Sequence, residues 1–381
     1  MTVLGLFLNP SMRSGGHKRY LELLGGLAGR GVRVIAFMNR VQPTRPPAVE
    51  IIESDVRTGP LHPSSRAFTQ AVLRDLGRIP RDVGRIDWIV VFGETHFAAA
   101  VALKKKLGSP ILYSHRSNAV REGIVSLEEN KGKPLAVAAI RLGILRSRLY
   151  ERYIARRADV LVFQSPYDRE DFLSRERSCA QRSLVIRGNI GEPRFKKEYE
   201  GTNSSDRLRR VLFIGTFGER KGVKYFLEAA SILASRGFRD IEYELIGFGS
   251  RKKEFEDFSE RAGLSASVRF LGRLADPFPA LARSDLLVVP SLFDSYPNTV
   301  LEALHVGTPV IASAIGGIPD MLRHEELLFP IRDARAIADR IERCVTDSAF
   351  YGRIRTLCAE RVSFFHFDWS GAFIEAMRDR G

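Results

Sequence analysis

The sequence contains few cysteines, and their positions suit neither a cross-link nor a metal. Only Cys179, Cys344 and Cys358 occur among the 381 residues, and they are widely separated and odd in number. They give no disulfide framework and no zinc spacing, and such usage is typical of a reducing cytosol. An Asp-x-Asp pair and a His/Cys cluster are also lacking, so we expect neither a metal ion nor another cofactor.

Long apolar runs are absent as well. No stretch approaches the ~18 consecutive apolar residues of a membrane span. The N-terminal residues 1–11 lack the basic flank and long apolar core of a signal peptide and favour a first strand. A Walker A loop and a complete Gly-x-Gly-x-x-Gly are missing, which argues against the nucleotide sites that depend on them. The 44% hydrophobic and 27% charged residues indicate a folded protein with sizeable cores.

Positive charge is confined to the N-terminal half. Residues 1–200 hold 34 Lys and Arg against 20 Asp and Glu, whereas residues 201–381 hold 25 of each, so the net charge of +14 belongs to the first half. Such asymmetry indicates an anionic partner for that half. The segment 131–157, called here the basic helix, carries 8 Lys and Arg and a single Glu.

The basic helix is amphipathic. Its leucines share one face at helical spacing, with arginines on another: Leu142, Leu145 and Leu149, and Arg141, Arg148 and Arg152. This pattern favours binding to an anionic membrane surface. A helix packed on a core with a solvated basic face is the alternative. Nucleic acid is disfavoured because no aromatic platform or binding motif accompanies the charge.

Strands and helices alternate in two successive sets. Apolar strands are predicted at 3–10, 32–39, 87–93, 110–115 and 159–165, and again at 209–217, 241–249, 267–272, 285–291 and 308–313. Helices are predicted at 14–31, 221–237 and 298–306, and the polar stretch 198–207 is predicted to link the two sets. The pattern predicts an α/β protein with two Rossmann-like domains, whose parallel sheets face a central cleft.

Two carboxylates flank the predicted helix 298–306. Asp294 lies in the loop before it, and Glu302 lies about one turn inside it. The first N–H groups of such a helix lack intrahelical acceptors and suit a phosphate. Glu302 can accept two hydrogen bonds from a ribose, and Asp294 can favour positive charge at an anomeric carbon. A first-turn acid that merely complements the helix dipole is the structural alternative for Glu302.

Residues 288–322, "VVPSLFDSYPNTVLEALHVGTPVIASAIGGIPDML", resemble the signature region of retaining GT-B glycosyltransferases of family four. The second acid of their paired-acid motif matches Glu302, and their glycine pair matches Gly316 and Gly317. The segments "SGGHKRYLELLGGLAGRGVRV", "ILYSHR", "LFIGTFGERKG" and "HFDWSGAFIEAM" look like further parts of the family pattern. The resemblance implies an acceptor-binding domain at 1–200, a nucleotide-sugar-binding domain at 201–365 and a C-terminal helix at 366–381 that returns to the first domain.

The resemblance also implies a set of site residues. Asp294, His115 and Lys221 are the catalytic candidates, with Lys221 gripping the donor diphosphate. The donor-binding candidates are Gly15, Gly16, Thr216, Arg220, Lys221, Gly247, Gly249, Arg273, Ser295, Tyr296, Asn298, Thr299 and Glu302. Glu94 and His96 are weaker candidates for acceptor binding, and His115 and Tyr296 also suit purely structural roles.

These observations predict a retaining glycosyltransferase of envelope polysaccharide or lipopolysaccharide biosynthesis. It would use a nucleotide-diphospho-sugar and a glycan or lipid-linked acceptor, on the inner face of the membrane. Two departures from the family keep alternatives open, because Asp294 stands for a Glu and Thr216 for an Arg. The alternatives are a catalytically impaired GT-B binding protein and a sugar-nucleotide epimerase.

Overall fold

The chain folds into two compact units. The computed structural model describes residues 1–7, 15–39, 46, 48–54, 56, 65–190, 195, 197–203 and 206–380. The first unit comprises Met1–Asn118, Leu145–Arg187 and Asp368–Gly381, and the second comprises Ala119–Ile144 and Gly188–Phe367.

These units differ from the predicted domain boundaries. The chain passes to the second unit at 187/188 rather than at 200/201, and residues 119–144 join the second unit although they lie inside the predicted first domain. The sequence shows where polar stretches occur, whereas membership of a unit depends on which side chains pack together.

The first unit is built on a seven-stranded parallel sheet of order β3-β2-β1-β4-β5-β6-β7. Its strands are β1 Thr2–Phe7, β2 Arg33–Met38, β3 Val49–Glu53, β4 Trp88–Phe92, β5 Ile111–Ser114, β6 Val160–Phe163 and β7 Ser183–Val185. Alternate side chains enter two apolar clusters, with Leu4 and Leu6 in one and Val3 and Phe7 in the other. Both faces are therefore covered, as an all-parallel sheet requires.

The second unit is built on a six-stranded parallel sheet of order β10-β9-β8-β11-β12-β13. Its strands are β8 Arg210–Ile214, β9 Glu242–Ile246, β10 Val268–Gly272, β11 Leu286–Val289, β12 Val310–Ser313 and β13 Leu328–Phe329. Each strand predicted from the sequence is present in the two sheets, although residues 8–10 lie outside the described part of the chain.

Helices connect the strands of both sheets. Those up to residue 187 are α1 Gly15–Ala28, α2 Ser65–Arg74, α3 Phe97–Leu107, α4 Ala119–Glu129, α5 Pro134–Arg157 and α6 Pro166–Arg175. Those that follow are α7 Val223–Ser235, α8 Lys252–Arg261, α9 Phe278–Arg283, α10 Asn298–Val306, α11 Ile318–Leu322, α12 Ala334–Thr346, α13 Ser348–Val362 and α14 Trp369–Arg378. Among the described helices, none combines the length and apolarity that crossing a bilayer requires.

Helix α14 is part of the first unit. Its Trp369 and Phe373 belong to the same apolar cluster as Tyr20 on α1, and the Arg19 guanidinium carbon lies 4.1 Å from the centre of the Trp369 ring. The Asp368 carboxylate accepts a hydrogen bond from the Gly371 N–H at 2.9 Å and caps the helix. The last helix therefore packs on the first.

The three cysteines are free and buried. Burial raises the pKa of the Cys344 and Cys358 thiols to about 12 and also raises that of Cys179. All three therefore remain protonated, poorly reactive thiols at neutral pH.

Candidate functional site

The loops after β8 and β11 lie next to each other in the second unit. The two strands are neighbours in the sheet although the intervening strands lie to one side, so the strand order reverses between them. Ligands of open parallel sheets bind outside the carboxyl ends of the strands at such a point. The Leu292 N–H donates a hydrogen bond to the Arg220 carbonyl at 2.8 Å and ties the two loops together.

Asp294 pairs with two cations from the loop after β8. The Lys221 ammonium donates a hydrogen bond to Asp294 Oδ2, and Arg220 Nη1 lies 3.7 Å from the same oxygen. Burial alone would raise the pKa of Asp294, but the charges of Lys221 and Arg220, with hydrogen bonds from Lys221 and the Tyr296 backbone, hold it below its usual value. The site therefore holds an ionised carboxylate and two cations at the end of the sheet.

Glu122 joins this group, and the sequence did not point to it. It lies on α4, in the part of the chain that packs with the second unit. Arg220 Nη1 lies 3.7 Å from Glu122 Oε1 and donates a hydrogen bond to the Phe293 carbonyl at 3.3 Å. Burial raises the pKa of Glu122, and the charge of Asp294 adds to this, whereas Arg220 and Lys221 oppose it.

Two glycines support the backbone of Asp294. The Gly317 N–H donates a hydrogen bond to the Asp294 carbonyl at 3.1 Å. Gly316 has φ 60°, and a Cβ atom there would lie 2.0 Å from the same carbonyl oxygen. No other residue fits without moving the loop. Gly316 and Gly317, the glycine pair of the sequence pattern, therefore hold the loop backbone at Asp294 in place.

Helix α10 begins directly after this loop, as predicted. Ser295 and Tyr296 are buried in the approach to the helix, and the Tyr296 ring centre lies 6.3 Å from that of Phe365. Glu302 is partly exposed, on the same side of α10 as Asn298 and Thr299, while the positions between them are buried. This spacing places the Glu302 carboxylate on the face that carries the first turn.

The remaining donor-binding candidates lie on neighbouring strand ends. Thr216 is exposed in the loop after β8. Cβ atoms on Gly247 and Gly249 would lie 1.8 Å from the Gly215 carbonyl oxygen and 2.2 Å from that of Phe217, so close backbone packing explains both glycines. Arg273, after β10, places its guanidinium carbon 5.4 Å from the centre of the half-exposed Phe248 ring.

His115 lies in the first unit and is buried. It follows β5, and its ring centre lies 5.2 Å from that of Phe163 and 5.7 Å from that of Phe172. Neither ring nitrogen has a hydrogen-bond partner among the described residues. Burial lowers the pKa of His115 to about 4, the charge of Arg175 contributes in the same direction, and Asp171 opposes both. The imidazole is therefore neutral at physiological pH.

A buried polar network fixes the segment that follows His115. The Asn118 amide donates to Asp171 Oδ2 at 2.7 Å, and Arg175 Nη1 donates to the same oxygen at 2.7 Å. Arg175 also donates to both carboxylate oxygens of Glu151, at 2.7 and 2.9 Å. Partnered buried charges of this kind hold a loop in one conformation.

The other first-unit candidates occupy different surroundings. His96 is buried, with its ring centre 5.5 Å from that of Phe68, so it packs in the apolar interior. Glu94 is partly buried, and its carbonyl accepts a hydrogen bond from the Tyr150 hydroxyl at 3.0 Å. Gly15 and Gly16 open α1, and the residues before them, 8–14, lie outside the described part.

The described residues contain no group of three or more His, Cys, Asp or Glu side chains that could hold a metal ion. Lys221 and Arg220 supply positive charge at the end of the second sheet.

Family models match both halves of the chain. Residues 14–187 match the "Glycosyl transferase 4-like domain", and residues 209–347 match "Glycosyl transferases group 1". Among solved structures, HepE of Anabaena in complex with UDP and glucose superposes with a TM-score of 0.76 and 16% identity, and covers 100% of both chains. At that identity the likeness establishes the fold.

Two relatives illustrate the range of similar proteins. A lipopolysaccharide core biosynthesis glycosyltransferase, LpsE of Rhizobium meliloti, is 33% identical over 40% of this chain, and the match spans 42% of the relative, less than half its length. A D-inositol 3-phosphate glycosyltransferase of Paenarthrobacter aurescens is 26% identical over 84% of this chain and 82% of the relative.

Proposed function

Because this chain belongs to the group 1 glycosyl transferases with the GT-B fold, we propose that it transfers a sugar from a nucleotide-diphospho-sugar to a glycan or lipid-linked acceptor. The anomeric configuration is retained, and the leaving group is the nucleoside diphosphate. The acceptor hydroxyl attacks the anomeric carbon from the same face of the sugar as the departing phosphate. The departing phosphate takes the proton of that hydroxyl. No protein base is then needed for this step.

The pairing of Asp294 with Lys221 and Arg220 is the observation that carries the proposal. Two cations at a strand-order reversal form a site for the two negative charges of a diphosphate. They stabilise those charges as the bond to the sugar breaks. The ionised Asp294 beside them favours the positive charge that develops at the anomeric carbon.

Helix α10 binds the nucleotide in this proposal. The positive end of the helix dipole stabilises the phosphate, and the Glu302 carboxylate accepts hydrogen bonds from the two ribose hydroxyls. Arg273 and the half-exposed Phe248 border the base. Gly247 and Gly249 shape this edge of the sheet for the donor, because backbone atoms fill the space that a Cβ atom would need at either position.

The first unit binds the acceptor and the transferred sugar in this proposal. A neutral imidazole at the end of β5 can donate one hydrogen bond and accept another. Burial keeps His115 neutral, and the network of Arg175, Asp171 and Asn118 fixes its segment. Similarity to LpsE, a lipopolysaccharide core enzyme, supports an acceptor in envelope polysaccharide or lipopolysaccharide synthesis.

The basic helix, α5 in the structure, provides the contact with an anionic membrane. Leu142, Leu145 and Leu149 are about half exposed, at 48%, 53% and 58%, and Leu135, about two turns before Leu142, is 87% exposed. This favours a surface role over a helix packed on a core along that face. Arg141 and Arg148 are exposed beside the leucines. The enzyme would therefore work peripherally on the inner face of the membrane.

Thermal unfolding with a panel of nucleotide-sugars tests the proposal. A ligand that binds only the folded state raises its stability, so one of the UDP-, GDP-, ADP- or TDP-sugars should raise the unfolding midpoint. HepE was solved with UDP and glucose, so UDP-glucose is the first donor to try. We propose that no divalent ion is required, and the shift should persist in EDTA. No shift with any donor would contradict the proposal and indicate that the donor site has been lost, whereas a shift without turnover would indicate a catalytically impaired binding protein.

A further inference from the structure

Glu122 is a charged residue of this site to which the proposed function assigns no role. It reaches Arg220 from α4, with 3.7 Å between Glu122 Oε1 and Arg220 Nη1. The same nitrogen lies equally close to Asp294 Oδ2, at 3.7 Å. Arg220 thus stands between two carboxylates, and Lys221 pairs with one of them.

The charges of this group balance in the absence of a ligand. Arg220 and Lys221 supply two positive charges, and Asp294 and Glu122 can supply two negative charges. A nucleotide-diphospho-sugar, placed on these cations as proposed above, adds two negative charges to a partly buried site. Excess buried charge of one sign is costly, and a carboxyl group that protonates relieves it.

The two carboxyl groups differ in how readily they can do so. Asp294 is held ionised by its direct hydrogen bond from Lys221 and its other cation, Arg220. Among the described residues, Glu122 has the longer contact to Arg220 and no direct hydrogen bond from Lys221, although the charge of Lys221 also acts on it, and burial already favours its neutral form. An anion that binds Arg220 in place of Glu122 removes the main interaction that stabilises the ionised form of Glu122.

We propose that Glu122 is a positioning residue that pairs with Arg220 in the ligand-free protein and takes up a proton when the donor diphosphate replaces it. The inference rests on the proposed donor site. Donor binding is then coupled to the uptake of a proton, so donor affinity increases as the pH falls toward the range in which Glu122 titrates. A protonated Glu122 stays beside Arg220 without repelling the diphosphate.

The charged groups that act on Glu122 come from two other segments. Arg220 and Lys221 lie on the turn against which α4 packs, and Asp294 lies on the loop after β11. Asp294 stays ionised throughout, since Lys221 bonds to it. The donor diphosphate is a diester without a group that titrates near neutral pH, in contrast to the terminal phosphate of a free nucleotide, whose pKa is about 6.

Isothermal titration calorimetry measures the proton directly. We would titrate UDP-glucose, or the sugar-nucleotide that gives the largest thermal shift if another does, at about pH 6.5 in MES, bis-tris and imidazole buffers. The slope of the binding enthalpy against the buffer ionisation enthalpy gives the protons taken up. For the unaltered protein we expect a clear uptake of part of a proton. For Glu122→Gln we expect donor binding with that uptake lost.

Glu129→Gln is the matched control. Glu129 lies on the same helix and pairs with Arg332 at 2.8 Å, away from the Asp294 group, so the variant should keep the proton uptake of the unaltered protein. Donor binding without proton uptake, or equal uptake in Glu122→Gln, would overturn the inference and leave the donor site standing. Absence of binding by every donor would overturn the proposed function and this inference together.

Discussion

Because His115 is buried and neutral, we expect the stability of the protein to depend on pH. Its pKa is about 4 in the folded protein and about 6.5 in an unfolded chain. Between these values only the unfolded state binds the proton, so stability is present above the unfolded value and is lost as the pH falls toward 4. The loss attributable to His115 should reach up to about 3 kcal/mol.

His115→Phe tests this. Phenylalanine suits a position beside Phe163 and Phe172, so at pH 7 the free energy of unfolding should change little. Urea unfolding at about pH 7 and pH 4.5 should show a smaller acid-induced loss for the variant. Parallel losses in both proteins would contradict the prediction. Turnover separates the two roles of His115, because a purely structural histidine would leave glycosyl transfer intact.

Glu302 carries the prediction for donor binding. Hydrogen bonds to a charged group contribute about 1.5–3 kcal/mol, so Glu302→Ala should weaken donor binding at least about tenfold. The thermal shift with the best donor should disappear, and turnover should fall with it. Glu256→Ala is the control, since Glu256 is an α8 carboxylate paired with Lys252 at 3.1 Å. Near-normal kinetics in Glu302→Ala would remove Glu302 from the site.

At the scale of the secondary-structure element, α5 carries the membrane prediction. Each basic residue near an anionic surface contributes about 1 kcal/mol, so Arg141→Gln with Arg148→Gln should weaken binding to phosphatidylglycerol vesicles by roughly 10- to 30-fold at low salt. Arg152 is left unchanged, because its Nε lies 3.2 Å from Glu176 Oε1 and its substitution would break this ion pair within the first unit.

Two comparisons make the vesicle experiment selective. Lys252→Gln with Lys253→Gln removes the same net charge from α8 and should leave vesicle binding unchanged. Leu142→Ser with Leu149→Ser keeps the charge and should also weaken binding, because the apolar side chains enter the interface. Equal co-sedimentation of all variants would exclude α5 as the membrane contact.

Long apolar strands were predictable from the sequence, and short edge strands were not. β7 has three residues, Ser183–Val185, and β13 has two, Leu328–Phe329. A run of two or three residues shows no hydrophobic periodicity. Each of these strands forms because its backbone pairs with a neighbouring strand, β7 with β6 and β13 with β12. The strand β3, Val49–Glu53, was missed too, because Glu50 and Glu53 break its apolar residues into short pieces without a clear period.

The same division applies to the site. Asp294 and Lys221 follow strands whose carboxyl ends share one edge of a parallel sheet, so the sequence placed both residues at the same end of the second domain. Glu122 could not be found this way, because an acid on an amphipathic helix usually indicates a solvated face. Its contact with Arg220 comes from the packing of α4 on the turn Glu219–Lys221.

At the scale of the whole molecule, the return of α14 to the first unit predicts the effect of truncation. Removal of residues 368–381 takes away buried Trp369, Phe373 and Met377. Full burial of such a side chain contributes about 1.5–3 kcal/mol, so the first unit should lose roughly 5 kcal/mol or more.

Tryptophan fluorescence can follow that loss. The sequence has 2 tryptophans, and both lie in the first unit. After truncation only Trp88 on β4 remains, and it reports on that unit alone. We expect its urea transition to move to lower concentration and to separate from the circular dichroism transition of the whole chain. Trp369→Phe, which keeps an apolar ring, should shift less, and coincident transitions in the truncated chain would contradict the prediction.

The inert cysteines make this protein well suited to site-specific labelling. Cys179, Cys344 and Cys358 are buried, protonated thiols, so a maleimide should not react with them in the folded state. One new cysteine on the surface of each unit would then accept a pair of fluorophores or spin labels without removal of the native residues. Distances between such labels, measured with and without a donor sugar, would show whether the donor changes that distance.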